Sequence, residues 1–95
     1  EVLGSLGTAH YSLGDVRRAI EIFGQALDIA QEIGNVLGAA GTCGILAEIL
    51  VEHGLWADAL SYAEYAAQIY AKAGYKQDAQ KAQLLIAQIR KRGEK

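Results

Sequence analysis

Four glycines, Gly14, Gly34, Gly54 and Gly74, stand twenty residues apart along the chain. Twenty residues hold one helix of about four to five turns plus one tight turn, and glycine supplies the left-handed backbone that ends a helix. The stretch between the first two, LGDVRRAIEIFGQALDIAQEIGN at positions 13–35, returns forty residues later as HGLWADALSYAEYAAQIYAKAGY. A chain punctuated in this way is a helical repeat in which each element buries its apolar side against the next. The spacing predicts an all-α fold of five helices stacked neighbour on neighbour.

Composition narrows the packing. The 95 residues are 52% apolar and 21% charged, ordinary for a soluble globular chain. No proline interrupts the helices, and no run alternates apolar with polar residues as a half-buried strand would. Eleven glycines and many alanines favour helices that approach closely.

In chain order, residues 1–13 read as a first helix with Leu3, Leu6 and His10 on one face. It opens without a cap, and the chain lacks a starting methionine, so it reads as a segment of a longer protein. Asp15 caps the second helix, which runs to about Ile33. That helix carries two apolar stripes, Ile20, Phe23, Leu27 and Ala30 beside Ile22, Ala26, Ile29 and Ile33, so one neighbour cannot cover it. Gly34 and Asn35 repeat the stop and cap. The third helix, residues 36–52, has only Glu48 and Glu52 as charges and belongs in the middle of the stack. The fourth, residues 56–73, again has two stripes, Ala59, Leu60, Ala63, Ala66 and Ala67 beside Tyr62, Tyr65, Ile69 and Ala73. The fifth, residues 76–92, has one narrow stripe of Ala79, Ala82, Ile86 and Ile89, as a terminal cap should.

These residues resemble the tetratricopeptide repeat. In that family a Leu-Gly pair lies in the first helix, Gly at the turn, Ala shortly after, then an aromatic and an Ala-Leu pair in the second helix. Leu6, Gly7, Gly14, Ala19, Phe23, Ala26 and Leu27 hold those places, and Leu46, Ala47, Gly54, Ala59, Ala63, Ala66 and Ala67 hold them in the next copy. Ile86 and Ala87 hold the Leu-Gly places in a half copy. The period is forty rather than about thirty-four, Gln31 and Ala71 stand where a proline often ends the second helix, and Ala63 replaces the aromatic. A forty-residue period with a Gly-Asn link is similar to repeats of kinesin light chains and of multidomain bacterial signalling ATPases and transcription regulators. The resemblance implies a right-handed α-solenoid of antiparallel helix pairs, about two and a half units: repeat one at 1–34, repeat two at 35–74, and a capping helix at 75–92.

The resemblance also implies a function, a non-catalytic scaffold that binds a peptide or amphipathic helix on the concave surface lined by the first helix of each repeat. By register that surface carries Gly4, Ser5, Thr8, Tyr11, Gly41, Gly44, Ile45, Glu48, Leu84, Leu85 and Gln88. It is small, apolar and slightly acidic. A free terminal carboxylate would meet Glu48, whereas an apolar or amphipathic helix could pass over Gly41 and Gly44. Two other roles fit the same sequence: self-assembly into a homodimer, and the sensor arm of a signalling ATPase or transcription regulator.

Other chemistry finds little support. His10 and His53 lack partners at ligand spacing, so no metal site is expected. Cys43 has no activating base in register and reads as core. Gly38, Gly41 and Gly44 lack the lysine and hydroxyl residue of a phosphate loop and read chiefly as a close helix contact. Trp56 reads as packing near a turn, and Tyr62, Tyr65, Tyr70 and Tyr75 as amphipathic contacts. No enzyme and no cofactor are expected. A net charge of −2 argues against nucleic acid. Arg90, Lys91, Arg92 and Lys95 suit the negative end of the last helix. No run is long and apolar enough for a membrane span, and the single cysteine fits a reducing compartment, so the cytoplasm is the expected location.

Overall fold

The computed structural model describes residues 2–93, with the side chains of Val2 and Leu3 outside that description. The Leu3 contact expected on the first helix, and Lys95 of the basic cluster, lie outside the described residues. Among the described residues there are five α-helices: α1 (Val2–Ser12), α2 (Val16–Glu32), α3 (Val36–Glu52), α4 (Trp56–Ala73) and α5 (Lys76–Gly93). There is no strand among the described residues. Connections of only two or three residues leave no room for anything but a tight turn.

The four turns are built alike. Gly14, Gly34, Gly54 and Gly74 have φ of 85°, 74°, 74° and 83°, the left-handed conformation in which a side chain would be strained. At the first turn the Gly14 amide donates to the Tyr11 carbonyl at 3.0 Å and the Asp15 amide to the His10 carbonyl at 2.9 Å. The same pair of bonds recurs at Gly34 and Asn35, Gly54 and Leu55, and Gly74 and Tyr75. Together they satisfy the last carbonyls of one helix. The residue after each glycine then stands at the head of the next helix. Asp15 accepts from the Arg18 amide at 3.3 Å and Asn35 from the Gly38 amide at 2.9 Å, so the turn that ends one helix also starts its successor.

Each helix packs against the next one in the chain, and α3 also touches α5. α3 is the hub. It supplies buried residues to both core clusters, Ala39, Ala40, Cys43, Leu46 and Ile49 to one and Ala47, Leu50 and Val51 to the other. The first cluster joins these to Ala19, Phe23, Leu27, Ala30 and Ala66, and the second to Ala59, Ala63, Ala67, Ile86 and Ile89. Fully burying a side chain the size of Leu46, Ile86 or Phe23 stabilises by about 1.5–3 kcal/mol, and an alanine by less. Principal extents of 32 × 30 × 19 Å give a slab about two helix diameters thick.

The sandwich expected for α2 is only half made. Ile22 and Ala26 of its second stripe are buried, but Ile29 is 45% and Ile33 71% exposed, because no described neighbour covers that end of α2. α5 buries Ile86 and Ile89 and leaves its other faces to water, the arrangement of an end element.

Candidate functional site

Three hollows open along α3, and all share Ile45, which is 42% exposed despite lying on the most apolar helix. The hollow between α3 and α5 measures about 210 Å³. Gly41, Gly44, Ile45 and Glu48 form its α3 wall, while Asp78, Lys81, Ala82 and Leu85 form its α5 wall. Its floor is α4, through Ala63, Ala66 and Tyr70. The hollow between α1 and α3 measures about 200 Å³ and is floored by Phe23 and Ile49. Thr8 and Tyr11 bound it on α1, and Ile45, Glu48 and Glu52 on α3. A shallower third hollow continues past Thr8 to Ser5 and Gly4.

Most positions placed on the concave face by register therefore meet in one groove: Gly4, Ser5, Thr8, Tyr11, Gly41, Gly44, Ile45, Glu48 and Leu85. Leu84 and Gln88 do not. Both are exposed on α5 outside the lining of these hollows, since it is Leu85 with Asp78, Lys81 and Ala82, one and two turns away, that turn toward α3. The register missed Phe23, Ala63, Ala66 and Tyr70, which belong to the second helices but show through where the first helices part. It also missed Glu52, Asp78 and Lys81, which the four-residue helical spacing from Glu48 and Leu85 could have signalled.

The glycines explain the shape of the groove. Their expected role as one close helix contact is not what the structure holds. A Cβ on Gly44 would meet nothing within 4 Å, and one on Gly41 only the Tyr70 hydroxyl at 3.7 Å. These two positions leave space rather than bring backbones together. A side chain on Gly38 would collide with the capping Asn35. The close approach occurs at Gly7 instead, where a Cβ would come within 2.8 Å of the Phe23 ring. In the second copy the corresponding residues are Ala47 and Ala63, both buried. Ala63 lines the floor of the α3–α5 hollow, as Phe23 lines that of the α1–α3 hollow.

Polar groups are few and defined. The Tyr11 hydroxyl donates to Oε1 of Glu52, tying α1 to α3. That bond, with some burial and the carboxylate's charge, raises the Tyr11 phenol above its ordinary value, so the hydroxyl keeps its proton. Burial, helped by Asp78 and Cys43, likewise raises Tyr70. Thr8 is satisfied by the Gly4 carbonyl at 3.0 Å. At the other end of α5, Arg90 pairs with Glu64 at 3.1 Å on the surface.

The remaining candidates have structural partners. His10 lies 3.7 Å from Asp15, and Nδ1 of His53 is 3.1 Å from the Ile49 carbonyl. Cys43 is buried among apolar residues, which pushes its thiol up to about 11 and keeps it protonated at neutral pH. Trp56 packs half-buried on the second core cluster, and Tyr65 accepts a bond from Nε2 of Gln31 at 3.2 Å. No group of three or more potential metal ligands occurs among the described residues. No described helix is long and apolar enough to cross a membrane. In comparisons with known proteins, no family model and no curated protein matches the chain.

Proposed function

We propose that the chain is a non-catalytic protein-interaction module of the tetratricopeptide kind, a right-handed solenoid of antiparallel helix pairs that holds a peptide segment in the groove along α3. One observation carries this reading. Three hollows converge on an exposed isoleucine, Ile45, beside Gly44, whose missing side chain leaves open space. Glycine inside a helix costs about 1 kcal/mol relative to alanine, and at Gly44 no packed neighbour accounts for that cost. A surface kept clear for another backbone does account for it.

The test is panning of a phage-displayed library of random 16-residue peptides on the immobilised chain. Binders are expected that the Gly44→Leu variant no longer captures although its helical circular dichroism is unchanged. Peptides that bind both forms equally well, or an absence of binders, would remove the groove from the account.

A second reading, self-association, is favoured by apolar side chains left uncovered on the first two helices: Leu6 is 43% and Ile29 45% exposed.

A further inference from the structure

The two main hollows of the groove differ in charge. The α3–α5 hollow is lined by one basic side chain, Lys81, and two carboxylates, Asp78 and Glu48, beside the apolar Ala63, Ala66 and Leu85. The α1–α3 hollow holds two carboxylates, Glu48 and Glu52, and no basic side chain. Among the described residues neither carboxylate takes part in an ion pair. They stand four residues apart on α3, the spacing at which like charges on a helix repel. Phe23 and the aliphatic Ile49 form its floor, with Ile45 on the α3 wall and the Tyr11 ring on α1.

A small hollow with aromatic walls and two carboxylates at its rim is complementary to one organic cation. It repels an anion. Two carboxylates are too few for calcium, which takes six to eight oxygen ligands. The guanidinium of arginine or the ammonium of lysine can place its stem on the apolar floor and its charge between the glutamates.

Building on the docking role of the groove, we infer that its occupant is an amphipathic helical segment carrying one arginine or lysine. The apolar residues of that segment seat in the α3–α5 hollow and the cation in the α1–α3 hollow. Glu48 and Ile45 line both hollows and so form the wall between them. From Gly41 to Glu48 the rise along α3 is roughly 10 Å, so the basic residue follows or precedes the apolar pair by about two helical turns.

The same peptide library separates this inference from the reading beneath it. It is panned on the wild-type chain, on Gly44→Leu, on Glu48→Gln and on the Glu48→Gln/Glu52→Gln double variant, each checked by circular dichroism. The glutamates are exposed, and Glu48→Gln leaves the Tyr11 bond to Glu52 in place. The expected result is a set of wild-type binders enriched in one arginine or lysine about seven residues from an apolar pair. Their affinity should fall about tenfold in the double variant and weaken with added salt. Binders lost in Gly44→Leu but unchanged in both glutamine variants, with no enrichment of basic residues, would overturn the inference and leave the docking groove standing. Enrichment of acidic peptides would overturn it as well. Binders indifferent to every substitution would overturn both.

Discussion

Gly7 and Phe23 are one decision made at two places in the chain. A ring at position 23 needs the backbone of α1 within reach, and only a residue without a Cβ at position 7 allows it. The second copy has Ala47 and Ala63 in the corresponding places, both in one core cluster, and Ala63 also lines the groove. The glycines of this chain thus differ in what they would tolerate, which gives a comparison measurable by urea denaturation. Gly34→Val places a β-branched side chain at φ 74° and should destabilise by roughly 1–3 kcal/mol. Gly44→Ala adds a methyl to open space on a helix and should stabilise by up to about 1 kcal/mol. A loss of stability at Gly44→Ala would mean that this position is packed after all.

Among the helices, the quality of the starts is uneven. α2 and α3 begin with Asp15 and Asn35, whose side chains each accept a backbone amide. α4 begins with Leu55, which makes no such bond and stands 48% exposed. Asn35→Ala should therefore cost about 1 kcal/mol, while Leu55→Asp should add a similar amount by supplying the missing acceptor. Midpoints of thermal unfolding that move in opposite directions for the two variants are the expected result. A Leu55→Asp variant less stable than the parent would show that Leu55 packs more than it caps. α5 needs less help, since Asp78 lies in its first turn and Arg90, Lys91 and Arg92 in its last, each complementing the nearby end of the dipole. The surface pair of Arg90 with Glu64 adds little, about 0–1 kcal/mol.

For the whole molecule, the question is what covers the first two helices. α3 and α4 are each packed from both sides, whereas α1 meets α2 and leaves Leu6 exposed, and the last turn of α2 leaves Ile29 and Ile33 uncovered. Apolar side chains gathered at one end of a small helical stack favour pairing with a second copy. The chain should form a reversible dimer in light scattering at high micromolar concentration, and Leu6→Glu should shift it to the monomer mass. A monomer mass for the parent chain across that range would rule the pairing out.

The residues by themselves determined the number of helices, their turns and two of their caps, because those depend on neighbours within five positions. Glycine at φ near +80°, the Asp15 and Asn35 acceptors and the three-four spacing of apolar residues are all local. Nine of the positions given by the register of the family resemblance line the hollows along α3. Tertiary structure alone decided the rest. Whether Ile33 is buried depends on which elements reach that end of α2, whether Leu84 or Leu85 faces α3 depends on the rotation of α5, and the depth of the groove depends on the volume of side chains on α4. The bond from Tyr11 to Glu52 joins positions 41 residues apart. Such contacts are set by how five helices share one volume, and no local spacing encodes that sum.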